Sequence, residues 1–267
     1  MSKLNAKILF KEHAVLLNCE RKILVISDIH LGYEVELIRK GVNVPERAPV
    51  LAQEIINLGE KTNTKTLYIL GDVKHKIATA SNFDLYQITL FFEKLKKWFN
   101  EVNVTLGNHD GGLKKLLPSN VTLIGSRGTI IKCHNENYSL FHGHAFPCPE
   151  SANSEYMIIG HGHYLIELKD TIGLKFSEPV WIVGEINRKK FLKNFQKNKV
   201  IGTISKKNIK FIVLPPFNRI VGGISVDKAV KNSIILKYMM KEKTKLFLED
   251  GTYLTTFSNL IHINSNQ

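Results

Sequence analysis

Short motifs of Asp, Asn and His follow five hydrophobic segments of this sequence. Asp28 and His30 follow the first segment, Asp72 the second, and Asn108 and His109 the third. The two later segments end in His142-Gly143-His144 and His161-Gly162-His163. Carboxylate, carboxamide and imidazole groups suit divalent ions such as Mn, Fe, Co and Zn, and the set lacks the thiolates of structural zinc sites. The motifs together therefore predict a metal site.

Two ions about 3.5–4 Å apart can clamp a phosphate group, lower the pKa of a bridging water and stabilise a leaving oxygen. A carboxylate such as Asp72 is a natural bridge between two ions, because it has two oxygens and its charge offsets the repulsion between the cations. A single Asp-x-His motif or a lone histidine is common in loops and cores. The prediction therefore depends on all five motifs occurring together.

The elements before these motifs alternate between strands and helices. Residues 23–26 lack polar alternation, which is typical of a strand buried on both faces. Further strands are predicted at 66–70 and 102–106, with helices at 48–61 and 83–99 between them. This alternation indicates a mainly parallel sheet flanked by helices, whose ligand sites gather at the carboxyl ends of the strands. Asp28 and His30 lie two residues apart at such an end, so their side chains point the same way.

The pattern changes after residue 120, where hydrophobic segments become shorter and closer together. They predict a second sheet packed against the first, with helical segments at about 185–198 and 226–239. Residues 31–47 show no clear period and are predicted to form a loop at the mouth of the site. The segments predicted as strands of the second sheet are residues 121–125, 128–133, 138–143, 156–163, 180–184, 200–204, 210–217 and 245–254.

Composition places the chain among ordinary globular proteins. It has 267 residues, of which 43% are hydrophobic and 23% charged, and the pattern shows no signal peptide or membrane-spanning run. We therefore expect a soluble, cytoplasmic protein with no membrane partner. Its cysteines, Cys19, Cys133 and Cys148, are odd in number and lack CxxC spacing, so we expect reduced and mostly buried thiols.

The formal net charge is +13, which favours phosphate-bearing partners or reflects a lysine-rich composition. Residues 186–226 contain ten Lys or Arg and no acidic residue. Ile186, Phe191, Leu192 and Phe195 would form an apolar helix face there, with lysines around it. The segment is either a nucleic-acid-binding edge or a solvated helix face, and the sequence leaves both interpretations open.

The ordered motifs DIH, GDVKH, GNHD, HGH and GHGH resemble those of the calcineurin-like metallophosphoesterase superfamily. The resemblance spans residues 28–163 and implies a four-layer α/β/β/α sandwich of two mixed sheets flanked by helices. It also implies a role for each motif residue. Asp28, His30 and His163 would hold one metal ion, Asn108, His142 and His161 the other, with Asp72 as the bridge, His109 as the catalytic imidazole and Asp110 as the residue that orients it.

One position points to a branch of this superfamily. The GDxxH form that ends in His75 is similar to SbcD-type DNA nucleases and to an archaeal SbcD-related phosphoesterase group, and residues 214–218 (LPPFN) with Gly222-Gly223 also resemble that group. Lys74 and His75 could hold a phosphodiester, or be a solvent-facing lysine and a histidine packed in a turn. His144 is a further candidate for substrate binding.

The expected protein is a single metallophosphoesterase domain over residues 1–267, with C-terminal strands and a basic helix within 180–260. It would use two divalent ions, with Mn favoured and Fe, Co, Ni or Zn also compatible. The expected reaction is phosphodiester hydrolysis of nucleic acid or nucleotides by metal-bound hydroxide, with nucleic acid held along residues 186–226. The alternatives are a small-molecule phosphomonoesterase, a cyclic nucleotide phosphodiesterase, and a scaffold that binds a partner without catalysis. Oligomeric state is left open.

Overall fold

The computed structural model describes residues 5–77, 82–169, 172–195 and 207–260. Within these ranges the α-helices are α1 (Tyr33–Arg39), α2 (Ala48–Thr62), α3 (Asn82–Leu95), α4 (Arg188–Leu192) and α5 (Val226–Ala229). The strands are β1 (Ala6–Leu9), β2 (Ala14–Asn18), β3 (Lys22–Ile26), β4 (Thr66–Leu70), β5 (Glu101–Thr105), β6 (Val121–Ile124), β7 (Thr129–Cys133), β8 (Glu136–Phe141), β9 (Tyr156–Ile159), β10 (Tyr164–Lys169), β11 (Lys175–Asn187), β12 (Asn208–Val213), β13 (Ile224–Ser225), β14 (Lys245–Leu248) and β15 (Tyr253–Thr256). Short 3-10 helices lie at Phe10–Glu12, Leu113–Lys115, Pro149–Asn153, Lys193–Phe195, Val230–Asn232, Leu236–Tyr238 and Lys241–Lys243.

The first sheet has the order β1-β2-β3-β4-β5-β6. Strands β3 to β6 run parallel to one another, and β1 and β2 add an antiparallel edge. Ile26 lies opposite Ile69, and Leu70 lies opposite Thr105. The three parallel strands that precede the Asp28, Asp72 and Asn108 motifs therefore end at the same edge.

The second sheet has the order β13-β10-β11-β12-β9-β8-β7, and β14 and β15 extend it from β11. Strand β9 is parallel to both β8 and β12, with Ile159 opposite Phe141 and Val213. The motifs that follow β8 and β9 consequently lie side by side at one edge of this sheet.

Three hydrophobic clusters separate four layers. The first packs α2 and α3 on the outer face of the first sheet, through residues such as Leu51, Ile55 and Phe92. The second cluster fills the space between the sheets, where Trp181 and Tyr138 face Val25. The third lies on the outer face of the second sheet beneath the short helices. The predicted mixed α/β fold with two sheets flanked by helices is confirmed.

Several predicted boundaries differ from the observed ones. Residues 31–47 contain the helix α1, although no clear apolar period marks it, and Glu34 is the buried residue of this helix. Residues 185–187 continue β11, so α4 begins later than predicted, and 226–239 form α5 and 3-10 turns rather than one helix. The strand predicted at 200–204 lies outside the described residues. Among the helices of the described ranges, none is long and apolar enough to cross a membrane.

The expectation of reduced cysteines is wrong for two of the three. Cys19 and Cys133 form a disulfide across 114 residues of sequence, with their Cα atoms 4.8 Å apart, and Cys148 is free. Cys19 follows β2 of the first sheet, whereas Cys133 ends β7 of the second sheet. The packing of the two sheets brings these cysteines together, which their spacing in the sequence could not reveal.

Candidate metal centre

Five residues of the strand-end motifs have a backbone conformation in the left-handed region. The φ angles are 57° at Asp28, 45° at His30, 51° at Asp72, 60° at His161 and 38° at His163. Non-glycine residues adopt this conformation at a cost of order 1–3 kcal/mol each, so surrounding contacts must hold it. Backbone hydrogen bonds between turns contribute, since His30 N donates to the carbonyl of Asp72 at 2.8 Å. These turns direct the side chains toward one another at the sheet edges.

Asp28, His30 and His163 form the first ligand group. His163 Nε2 lies 3.0 Å from Asp28 Oδ1 and 3.2 Å from His30 Nε2. The Nδ1–H of His163 donates to the carbonyl of Gly222 at 3.1 Å, which leaves Nε2 free to act as a ligand. Two imidazole nitrogens can face each other at 3.2 Å only with a proton or a cation between them. The three residues thus suit one divalent ion.

Asp72, His142, His161 and Asn108 form the second group. The ligand atoms of Asp72, His142 and His161 lie within 4.8 Å of one another, and Asn108 Oδ1 lies 3.2 Å from His142 Nε2. His142 Nδ1–H donates to the carbonyl of Leu70 at 2.7 Å, so its Nε2 also points inward. This mixture of imidazole, carboxylate and carboxamide again suits a borderline divalent ion.

Asp72 lies between the two groups. Its Oδ2 atom is 3.3 Å from His142 Nε2 in the second group and 3.6 Å from His30 Nε2 in the first. Its Oδ1 atom accepts a hydrogen bond from the backbone N of His109 at 2.8 Å, which fixes the carboxylate plane. Gly107 makes room for this carboxylate, because a Cβ atom at that position would lie 2.1 Å from Asp72 Oδ1. Asp72 can therefore contact an ion in either group.

Two of the four histidines in the ligand groups have a lowered pKa, and the other two have a raised pKa. Burial lowers the pKa of His30 to about 3 and, with help from the charge of His142, the pKa of His161 to about 4. Burial opposes protonation of His142 as well, but the hydrogen bond to Asp72 and the charges of Asp28 and Asp72 raise its pKa to about 9. His163 shows the same balance, since Asp28 outweighs burial and raises its pKa.

The two ligand carboxylates remain ionised in this environment. Burial alone would raise the pKa of both, but His163 outweighs it at Asp28 and His142 outweighs it at Asp72, so both values are lowered. At a pH below the raised pKa values of His142 and His163, the metal-free site therefore balances two carboxylates with two imidazolium groups. A divalent ion that enters either group must displace a proton.

His109 and His75 border the ligand groups and are partly exposed, with 22% and 20% of their side chains open to solvent. The Nδ1–H of His109 donates to the backbone carbonyl of His75, and His109 Nε2 lies 3.9 Å from Asp72 Oδ2. His75 Nε2 contacts Glu36 Oε2 at 2.9 Å, while its Nδ1 lies 3.5 Å from His30 Nδ1. His30, His75 and His109 also form a third group of converging ligand atoms.

Asp110 and Lys74 contact backbone beneath the site. Asp110 Oδ1 accepts from the backbone N of Val73 and Lys74, and its Oδ2 accepts from Gly107 N at 2.8 Å. Burial, followed by the charge of Asp72, raises the pKa of Asp110 to about 6. Asp110 thus ties the Asp72 turn to the Asn108 turn, and it affects His109 through the backbone rather than through contact with the ring.

Lys74 is buried, which contradicts the interpretation of a solvent-facing lysine, while its role in holding phosphate stays a prediction. Its side chain is 1% exposed, and the ammonium donates to the carbonyls of Lys76 and Ile77. Burial lowers its pKa, although Asp110 and Asp84 oppose that shift. The ammonium therefore contacts the backbone that follows His75.

His144 lies next to the second group. Its ring centroid is 5.2 Å from that of His142 and 6.2 Å from that of His161. Its Nδ1 is buried without a hydrogen-bond partner in the described part of the chain.

Two groups that contact the site were not predicted from the sequence, the Glu36 carboxylate and the Gly222 carbonyl. The available signals were an acidic residue in the loop after the first motif and the Gly222-Gly223 pair.

Comparison with known proteins finds a matching family and similar solved structures. Residues 21–226 match the sequence pattern of a family described as "Calcineurin-like phosphoesterase". A nuclease from Pseudomonas putida, MPE, has a similar structure with a TM-score of 0.54 at 16% identity, over 93% of this chain and 94% of that chain. The E. coli phosphoesterase Yfce aligns with a TM-score of 0.36 at 18% identity, over 55% of this chain and 73% of that chain. No curated protein matches the sequence.

Proposed function

The chain belongs to the calcineurin-like phosphoesterase family of metal-dependent hydrolases, and we propose that within this family it hydrolyses phosphodiesters of nucleic acid or nucleotides. The observation that carries the proposal is the position of His75. This histidine joins His30 and His109 at the mouth of the site and is held there by Glu36. The GDxxH motif that supplies it is our reason for grouping the chain with SbcD-related phosphoesterases.

We assign the two ligand groups to two divalent ions, with Mn as the favoured metal. Asp28, His30 and His163 would hold one ion, and Asn108, His142 and His161 would hold the other, with Asp72 shared between them. Two such ions supply Lewis acidity that lowers the pKa of a bound water and neutralises the charge of the phosphate. The absence of cysteine from this donor set is the reason for favouring a borderline ion bound by N and O ligands.

His109 is the proposed catalytic imidazole. Because its Nδ1–H is engaged by the His75 carbonyl, Nε2 is the atom that can gain or lose a proton. A protonated Nε2 can donate to the leaving oxygen of a phosphoester, and general acid catalysis of this kind contributes typically 10²–10⁴-fold. Asp110 holds the position of this imidazole indirectly, because it joins the two backbone turns beneath the ring.

His75 is the proposed determinant of diester hydrolysis. Its ring packs against His109 with centroids 5.8 Å apart, and Tyr33 contacts its other side at 4.8 Å. Glu36 accepts a hydrogen bond from Nε2 at 2.9 Å and so fixes the orientation of the ring. A second ester group beside the scissile phosphate would lie against this ring, whereas a monoester lacks that group.

A basic surface on α4 is the proposed contact for nucleic acid. Lys189, Lys190 and Lys193 are exposed on α4 and its continuation, while Phe191 packs inward. Phe191 also stacks on Phe146 with centroids 6.0 Å apart, and Phe146 follows His144 by two residues. Phe191 thus packs against the segment that follows His144, and the exposed lysines beside Phe191 could hold a polynucleotide backbone.

The test compares bis-p-nitrophenyl phosphate with p-nitrophenyl phosphate on metal-stripped protein, with Mn, Ni, Co, Mg or Zn added back. We expect Mn-dependent diesterase activity that exceeds monoesterase activity, followed by cleavage of single-stranded or double-stranded DNA or RNA. Preference for the monoester would replace the proposal with a small-molecule phosphatase. Absence of turnover with every metal would leave a binding scaffold as the better account.

A further inference from the structure

The LPPFN segment after β12 crosses the strand end that carries Asp28. Phe217 N donates to the carbonyl of Ser27 at 2.9 Å, and Asn218 N donates to the carbonyl of Asp28 at 3.4 Å. The Nδ2 atom of Asn218, which is fully buried, donates to the carbonyl of Ile29 at 2.9 Å. Three consecutive carbonyls on the approach to His30 are therefore held by two residues.

The same segment then reaches His163. The carbonyl of Gly222 accepts the Nδ1–H of His163 at 3.1 Å, and Ile224 N donates to the carbonyl of His163 at 3.0 Å. Gly223 permits this approach, because a Cβ atom there would lie 2.0 Å from the His163 carbonyl oxygen. We call residues 217–224 the brace segment. It fixes both the backbone and the ring tautomer of His163.

The brace segment contacts residues whose backbone conformation is unfavourable. Asp28, His30 and His163 all have positive φ angles, and such residues keep this conformation only where neighbouring structure imposes it. Hydrogen bonds from the brace segment reach the peptide carbonyls of Ser27 and Asp28, on either side of the left-handed position at Asp28, and the carbonyl of Ile29 that follows. They also reach both the backbone and the ring of His163.

The second ligand group is held by different parts of the chain. Leu70 accepts from His142 Nδ1–H, and His109 N donates to Asp72 Oδ1. Within residues 5–77, 82–169, 172–195 and 207–260, no hydrogen bond joins the brace segment to Asp72, Asn108 or His142. The two groups are joined by other bonds, from Asp28 N to the Gly71 carbonyl at 3.2 Å, from His30 N to the Asp72 carbonyl at 2.8 Å and from His161 N to Asp28 Oδ2 at 3.0 Å. Of the two groups, the hydrogen bonds of the brace segment therefore reach only the first.

We propose that the brace segment sets the metal affinity of the first ligand group alone, with Asn218 as its main positioning residue. This inference rests on the proposed function, because it uses the assignment of Asp28, His30 and His163 to one ion. Residues that orient metal ligands typically change metal affinity 10–100-fold when they are replaced. Loss of the Asn218 amide should therefore convert a protein that binds two ions into one that binds a single ion tightly.

The experiment titrates Mn into metal-free protein and follows it by calorimetry and electron paramagnetic resonance. Asn218→Ala removes the amide, and Asn218→Asp keeps the shape but cannot donate to the Ile29 carbonyl. Asn208→Ala is the matched control, since it removes an amide that donates to Glu185 on the second sheet. Thermal unfolding of each metal-free variant verifies that it is folded. If Asn218→Ala does not fold, the Mn titration of Asn218→Asp tests the proposal.

We expect wild type and Asn208→Ala to bind two Mn ions and show a spin-coupled pair. Both Asn218 variants should bind one ion with wild-type affinity and the second at least about tenfold more weakly, with a mononuclear Mn signal at one equivalent. Unchanged affinity for both ions, or equal loss of both, would overturn the role of the brace segment while leaving the proposed function intact. Failure of the wild-type protein to bind two ions would overturn the proposed function itself.

Discussion

The Nδ1 atom of His109 donates a hydrogen bond to the backbone carbonyl of His75. This contact joins the GNHD turn after β5 to the GDxxH turn after β4. It also assigns different tasks to the two nitrogens of His109, because Nδ1 is engaged by backbone and Nε2 faces the ligand groups. The carbonyl belongs to the main chain, so replacing the side chain of His75 leaves the contact available.

Replacement of His109 should separate chemistry from metal binding. We expect His109→Ala to lower kcat by roughly 10²–10⁴-fold, since the proton donor at Nε2 is lost, while metal content remains at two ions per chain. Measurement of kcat beside elemental analysis checks both parts. His134→Ala is the control, because His134 is exposed and bonds only the Asn18 carbonyl within the described residues. Loss of both metals in His109→Ala would instead make His109 a ligand.

Replacement of His75 should affect diesters more than monoesters. We expect His75→Ala to reduce kcat/KM for bis-p-nitrophenyl phosphate by about tenfold or more relative to p-nitrophenyl phosphate, because the ring would no longer be present beside the second ester group. Glu36→Gln keeps a hydrogen-bond acceptor for His75 Nε2 but weakens the bond that orients the ring, so it should give a smaller change of the same sign. Equal losses for both substrates would contradict a role in substrate choice.

Metal binding should release protons at neutral pH. The pKa of His142 is raised to about 9, so at pH 7 its ring carries a proton that an ion must displace. The pKa of His163 is raised as well. We expect at least about one proton released when both ions bind and an affinity that increases toward pH 9. Calorimetry in buffers of different ionisation enthalpy measures this number. Proton release near zero would show that the rings are already neutral.

The same shift predicts a pH dependence of stability in the metal-free protein. A histidine whose folded pKa exceeds its unfolded value of about 6.5 stabilises fully below that value and loses the contribution as pH increases through its folded pKa. We therefore expect the Tm of metal-free protein to fall between pH 7 and pH 9. The metal-loaded protein should not show this fall, because its histidines are already deprotonated. Thermal melts of both forms across this range provide the measurement.

Gly107→Ala should displace Asp72. The new Cβ atom would lie 2.1 Å from Asp72 Oδ1 and 2.3 Å from its backbone N, and this buried backbone cannot move away at low cost. We expect loss of at least one ion and a free energy of unfolding lower by about 1–3 kcal/mol. Gly125→Ala is the matched control, since nothing lies within 4 Å of its Cβ position. Equal behaviour of the two variants would contradict the close approach.

Charge reversal at Lys189, Lys190 and Lys193 should weaken polynucleotide binding without changing hydrolysis of a small aryl diester. The slope of binding affinity against salt should also fall, because fewer phosphate contacts release counterions. A triple reversal at Lys22, Lys97 and Lys132 changes the net charge by the same amount at exposed lysines of other surface elements. Filter binding at several salt concentrations compares the two triples. Equal effects would mean that net charge, rather than a defined surface, attracts the polynucleotide.

Local pattern was sufficient to predict the strands and helices that carry the motifs. Unbroken apolar runs marked β3 and β4, helical spacing marked α2, and the polar residues at their ends marked the site. The predicted mixed α/β fold with two sheets follows from the same alternation. These features depend on neighbours within a few residues, which a sequence displays directly.

Contacts between distant residues were decided only by the tertiary structure. The sequence showed neither the disulfide between Cys19 and Cys133 nor the burial of Lys74 within its own turn. It also did not reveal that Gly222 orients His163 or that Asn218 holds the Ile29 carbonyl, since these partners are 59 and 189 residues apart. Sequence periodicity reports which face of an element is buried. Which groups meet across two packed sheets depends on register and layer packing, and those are properties of the folded chain.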